Sequence, residues 1–131
     1  GTDFETGSYR ENAAAPILSR DEMIYFWRAY LGGDMGTRDP RAVPLAAADL
    51  CGLPPARIVT AEYDPLRDDG IRYAGRLKDA GVPVEFVNAR HLTHGFMRAW
   101  PVSDGVKDLA EGMCRAFRDA FGEADGERVS A

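Results

Sequence analysis

RIVTAEYDPLRDDGIRYAGRLKDAGVPVEFVNARHLTHG, Arg57 to Gly95, reads as a strand, a helix and a second strand. A residue of catalytic type follows each strand. Arg57 to Tyr63 is rich in Ile, Val, Thr and Tyr and stops at Asp64-Pro65. Pro65 has no N–H for a ladder and biases Asp64 away from helix, so the strand ends in a turn there. Asp68 is placed to cap the next helix, its carboxylate accepting N–H groups that lack intrahelical partners. Ile71, Ala74 and Leu77 recur at helical spacing and are expected to mark the buried face. Gly81 sits where a left-handed cap is needed, and Pro83 blocks continuation. Val84 to Arg90 forms the second strand, with Val84 and Phe86 on one face and Val87 and Ala89 on the other. Leu92 to Gly95 then turns out of the sheet and carries His94.

Two strands joined by a helical crossover should be parallel, with a right-handed connection. Both then end at one edge of the sheet, where open α/β sheets place their sites. Asp64 and His94 leave adjacent strands at that edge. Although distant in sequence, they are placed to meet, and an Asp orienting a His is two-thirds of a nucleophilic triad. Taken alone, Asp64 also reads as a turn-starting residue and His94 as a loop histidine. His91 lies three residues before His94, but the pair lacks the H-E-x-x-H frame and the acidic run lacks EF-hand spacing, so no metal site is expected. The acidic DPLRDDG turn likewise disfavours a phosphate or dinucleotide, and no cofactor is expected.

The run LPPARIVTAEYDPLRDDG, with AGVPVEF and HGF after it, resembles the hormone-sensitive-lipase-like group of α/β-hydrolase esterases. The resemblance implies an α/β fold, of which the chain holds the last two parallel strands with their crossover and flanking helices. It implies that Asp64 is the triad acid and His94 the base. It also implies that residues 1–131 are a C-terminal fragment of one hydrolase domain. Within it, 19–31 would be a cap or pocket helix, 57–94 the unit carrying Asp and His, and 103–121 the C-terminal helix. The family's G-x-S-x-G elbow and HGGG-type oxyanion loop are absent: the serines are Ser8, Ser19, Ser103 and Ser130, none flanked as the elbow requires. The family's chain order of Ser, Asp, His puts the nucleophile upstream of Gly1. The implied activity is hydrolysis of small apolar esters by the parent protein, with this chain alone inactive. The alternatives are a receptor-like binding protein on the same fold and a fragment without function.

Around this unit, Gly1 to Pro16 reads as polar and irregular, with Tyr9 and Arg10 as solvated or packing residues. Within the resemblance, TDFETGSYRENA is similar to the loop after the sixth strand. Ser19 to Leu31 is a helix opened by a Ser19/Glu22 capping box and ended by Gly32-Gly33. Its Met23, Phe26, Trp27 and Tyr30 stripe suits a core face. The resemblance makes Met23, Phe26 and Trp27 lining residues of the ester pocket instead. Asp34 to Pro55 is a long connection in which Leu45 to Leu50 suits a short helical turn. Phe96 to Pro101 reads as a loop. The last helix, Ser103 to Phe121, carries a stripe of Val106, Leu109, Ala110, Met113, Ala116, Phe117, Ala120 and Phe121. Gly122 stops it, and the remainder reads as a frayed tail.

Composition is that of one globular domain: 45% apolar, 28% charged and a formal net charge of −5, which disfavours nucleic acid as a partner. No run is long and apolar enough to span a membrane, and no signal-peptide pattern opens the chain. Cys51 and Cys114 are expected to be reduced, partly buried thiols, in keeping with a cytoplasmic location. The expected partners are a small ester substrate and either the upstream half of the hydrolase or further copies of the chain, docked on the open sheet edge.

Overall fold

The computed structural model describes residues 1–122; the expected tail beyond Gly122 lies outside them. The chain divides into two compact units, Gly1–Gly95 and Phe96–Ala131. The first contains α1 (Gly7–Glu11), α2 (Arg20–Tyr30), a 3-10 turn at Pro44–Ala46, β1 (Ala56–Tyr63), α3 (Arg67–Asp79) and β2 (Val84–Thr93). The second contains a 3-10 turn at Phe96–Ala99 and α4 (Asp104–Ala120).

In the first unit β1 and β2 pair in parallel, in register from Ala56↔Val84 to Ala61↔Ala89. Ala56, Ile58 and Thr60 thus share a face with Val84, Phe86 and Asn88, and Thr60 Oγ1 donates to Asn88 Oδ1 at 3.0 Å. The helix α3 packs on both strands. Its C-terminus closes as the sequence requires. Gly81 adopts φ 76°, its N–H reaches Lys78 O at 2.9 Å, and Val82 N reaches Leu77 O at 2.9 Å. This is the paired bonding of a Schellman motif. Leu77 and Val82 bury together with Leu50 in the core, bordered by Ala56, Ile58, Tyr73 and Val84.

The buried face of α3 differs from expectation at one position. Ala74 and Leu77 are buried, but Ile71 is 44% exposed. The third member of the face is Gly70, which hydropathy does not flag. An added Cβ there would collide with Thr60 Cγ2 and meet Ile58 Cγ2 at 3.6 Å. Gly70 therefore sets how closely α3 approaches β1. Gly70→Ala would ordinarily favour a helix by about 1 kcal/mol. Here Thr60 is buried and bonded to Asn88, so overpacking of about 1–3 kcal/mol prevails. Denaturant melts should show the variant to be less stable than the parent; a gain in stability would show that Thr60 yields.

Two further expectations change. The polar opening segment is irregular only in part: its Gly7–Glu11 stretch forms α1, and Ser8 and Tyr9 are fully buried. Asp68 does not cap α3, whose N-cap position is Leu66. Instead Asp68 Oδ2 accepts Ser8 N–H at 2.8 Å, Ser8 Oγ donates to Pro65 O at 2.7 Å, and Asp68 N donates to Ser8 Oγ at 3.1 Å. The acidic start of α3 is thereby spent on holding α1. Arg10 is exposed beside Glu5, whereas Tyr9 packs edge-on against Phe4 with its hydroxyl buried and unpaired.

Burial, with the charges of Asp69, Asp64 and Asp3, pushes the Tyr9 phenol above its ordinary value of 10.0. The folded chain keeps this proton where the unfolded chain has begun to lose it. Stability from this group is therefore complete below about pH 10 and falls as pH rises further. Tyr9→Phe removes an unpaired buried hydroxyl. It should be neutral or stabilising by up to about 1 kcal/mol at neutral pH and should flatten the alkaline loss. Parallel denaturant titrations at neutral and alkaline pH check both effects; a large loss at neutral pH would contradict the assignment.

The capping box of α2 forms as expected: Ser19 Oγ accepts Glu22 N–H at 3.2 Å, and Glu22 Oε2 accepts Ser19 N–H at 2.8 Å. Ser19 Oγ also donates to Glu22 Oε2 at 2.7 Å, and that bond, followed by the Ser19 N–H, holds the Glu22 carboxyl below its ordinary range. No residue of α2 is buried, so its aromatic stripe is not a core face here. Phe26 is half exposed, and Tyr25 and Tyr30 more so. Both cysteines are exposed rather than partly buried, and the Asp49 carboxylate beside Cys51 raises that thiol.

In the second unit Ser103 Oγ accepts Val106 N–H at 3.4 Å to open α4. Val106 and Ala110 are buried, but the stripe is not buried throughout: Phe117, Ala120 and Phe121 are exposed. Gly122 ends the helix at φ 72°.

Candidate active site

The two parallel strands deliver Asp64 and His94 to one place, with His94 Nδ1 2.9 Å from Asp64 Oδ2. Each is positioned by its strand end. Asp64 follows β1, and Pro65, fully buried, stops the ladder there. Asp64 Oδ1 accepts Leu66 N–H at 2.8 Å, which fixes the carboxylate plane and leaves Oδ2 for the imidazole. The side chain of Asp64 is 11% exposed, against 37% for His94. A mostly buried carboxylate therefore holds a more accessible ring. With Nδ1 engaged by an acceptor, the neutral ring carries its proton on Nδ1, and Nε2 is the basic nitrogen. Such a pair can receive a proton from a third group and return it.

The candidates expected to line the pocket belong to a separate element. Met23, Phe26 and Trp27 lie on α2, where Phe26 stacks edge-on with Tyr25 and Trp27 with Tyr30. The Trp27 Nε1 is buried without a partner. The packing of the unit pairs α3 with both strands and α1 with α3, and α2 shares no comparable contact. The serines among the described residues have other work. Ser8 bonds Pro65 and Asp68, and Ser19 and Ser103 cap helices. Among the described residues no three His, Cys, Asp or Glu gather as a metal site would require. No described helix is long and apolar enough to cross a membrane.

Sequence reasoning passed over two neighbours of the pair. Arg67, in the first turn of α3, donates to Glu62 O at 3.1 Å and to Glu11 Oε2 at 2.8 Å, and its Nε lies 3.3 Å from Asp68 Oδ1. Glu62, two residues before Asp64, accepts His91 N–H on Oε2 at 2.7 Å. The side chain of His91 is 75% exposed, yet its backbone takes φ 61°. An acidic residue on an apolar strand is the one sequence signal that pointed to Glu62.

Residues 1–98 match the family model described as the alpha/beta hydrolase fold. Among curated relatives, the chain is 50% identical over 97 residues to Esterase LipI of Mycobacterium tuberculosis, covering 72% of this chain and 30% of that protein. It is 48% identical over 98 residues to Carboxylesterase NlhH of the same species, covering 72% of this chain and 31% of that one. The crystal structure of esterase LipW from Mycobacterium marinum superposes with a TM-score of 0.82 at 35% identity, covering 88% of this chain and 36% of that one. The carboxylesterase EstE1, cloned from a metagenomic library, gives 0.80 at 38% identity, covering 88% and 40%. The chain thus spans about a third of the length of the curated relatives it matches.

Proposed function

Because this chain belongs to the α/β-hydrolase family, in keeping with its resemblance to the hormone-sensitive-lipase-like esterases, we propose that it supplies the acid–base pair of a serine carboxylesterase. The observation that carries this reading is the 2.9 Å contact between His94 Nδ1 and Asp64 Oδ2 at the ends of adjacent parallel strands.

The nucleophile is a serine outside these 131 residues. As its hydroxyl oxygen attacks the carbonyl carbon of an ester, His94 Nε2 takes the hydroxyl proton. Asp64 holds the tautomer and stabilises the imidazolium. The tetrahedral intermediate collapses, the carbon–alkoxide bond breaks, and His94 returns the proton to the leaving alcohol. Water then repeats the sequence on the acyl-enzyme, releasing the acid and the serine. The substrates are small apolar esters, with Met23, Phe26 and Trp27 forming part of the apolar pocket wall. No cofactor takes part.

Asp64→Asn tests the assignment in the intact hydrolase. An amide can present an N–H to Nδ1 and favour the wrong tautomer. Turnover of an activated short-chain ester should fall on the order of 10⁴-fold. Steady-state kinetics showing a loss below about tenfold would remove Asp64 from the reaction.

A further inference from the structure

β2 does not run straight into His94. Register holds to Ala61↔Ala89, and the next pair is Tyr63↔Thr93, so β1 advances two residues while β2 advances four. Arg90, His91 and Leu92 thus lie opposite Glu62 alone and form a bulge, and His91 within it takes a left-handed backbone at φ 61°. That conformation suits glycine and is uncommon for residues with side chains, although histidine is among those that adopt it more readily, and it persists where neighbours hold it. A bulge also takes an N–H out of the ladder. The displaced His91 N–H finds its acceptor in Glu62 Oε2 at 2.7 Å, directly across on β1. Glu62 is itself held, since its carbonyl oxygen accepts Arg67 Nη1 at 3.1 Å. The His91 ring contributes little, standing 3.7 Å from the same carboxylate oxygen and mostly in solvent.

Resting on the acid–base role of Asp64 and His94, we propose that Glu62 is a positioning residue: its carboxylate pins the His91 amide and thereby sets where the bulged strand delivers His94. Two ties then join the strand ends. Glu62 to His91 comes first, and Asp64 to His94 follows just past the strand ends, two residues after Glu62 and three after His91. If the first tie is cut, the left-handed residue relaxes and the surplus in β2 redistributes. One residue of strand spans about 3.3 Å, more than the whole Nδ1–Oδ2 separation of 2.9 Å. What His94 needs from position 62 is an oxygen at that reach, which glutamine also offers and alanine and aspartate do not.

The experiment uses the intact hydrolase as wild type, Glu62→Gln, Glu62→Ala and Glu62→Asp, with Asp64→Asn as reference. It records kcat and KM on an activated short-chain ester, and the low-field proton resonance of the hydrogen-bonded His94 Nδ1–H. Glu62→Ala should lower kcat by about 10- to 100-fold, as a misplacement on the order of 1 Å does, with KM within about twofold. Its low-field resonance should vanish. Glu62→Gln should keep kcat within about threefold and keep the resonance, because the acceptor survives. If Glu62→Ala fails to fold, Glu62→Asp carries the same expectation, retaining the charge while withdrawing the oxygen by one methylene. An unchanged kcat and resonance in the alanine or aspartate variant overturns the proposal. So does a glutamine variant as impaired as alanine. A normal Asp64→Asn enzyme would instead refute the acid–base reading on which this one rests, so the two failures are distinguishable.

Discussion

His94→Ala is expected to reduce kcat of the intact hydrolase by 10⁴-fold or more on the order-of-magnitude scale set by other serine hydrolases, with KM little changed. The reason is the division of labour around the ring. Asp64, mostly buried and fixed by the Leu66 N–H, occupies Nδ1. On the proposed reading, Nε2 is then the basic atom that takes the serine proton. Alanine leaves no base, and it leaves a mostly buried carboxylate without its imidazole partner. The loss falls on a group used in the transition state rather than in substrate binding, which is why kcat carries it. Stopped assays on an activated ester measure both constants. A His94→Ala enzyme within about tenfold of the parent would require another base.

The second large effect concerns the 131-residue chain by itself. It is expected to hydrolyse activated esters no faster than a matched protein blank. Ser8 is buried and bonded to Pro65 and Asp68, and Ser19 and Ser103 are engaged as helix caps. Each of these hydroxyl oxygens is already committed to a structural bond. The same chain should not behave as a free monomer. Among the described residues its parallel sheet has two strands, and parallel sheets are ordinarily wider and covered on both faces. The unpaired edges and the exposed aromatics Tyr25, Phe26 and Tyr30 on α2 are features that seek partners. Light scattering should report association or a companion polypeptide. Inhibitor-sensitive turnover by the purified chain would contradict the first expectation. A monodisperse monomer with one sharp, dilution-independent melt would contradict the second.

The central unit was legible because its signals are local. Asp64-Pro65 ends one strand, Gly81 and Pro83 end the helix, and parallel pairing then brings Asp64 and His94 to a shared edge whatever lies elsewhere. What escaped was held by distant or silent residues. The opening segment looked irregular because its burial depends on Ser8 bonding Pro65 and Asp68 across the fold, not on hydropathy. An apolar pattern points to Ile71 rather than Gly70, since a missing side chain adds nothing to such a pattern while controlling how near two backbones come. The bulge at His91 was hidden because the sequence VNARHLT carries no glycine to announce a left-handed residue; Glu62 supplies the support instead. On α2 the stripe Met23, Phe26, Trp27 and Tyr30 announced an apolar surface but not what it faces.

Labelling by a fluorophosphonate tests the account at its centre, because it reads activation of the serine without requiring turnover. In the intact hydrolase the reagent should modify one serine outside this chain rapidly. The rate should drop by at least about 10³-fold in His94→Ala and by a comparable factor in Asp64→Asn, since the hydroxyl attacks only as fast as its proton is removed. Equal labelling rates in the parent and both variants, or labelling confined to Ser8, Ser19 or Ser103, would contradict the assignment of Asp64 and His94 as the acid–base pair.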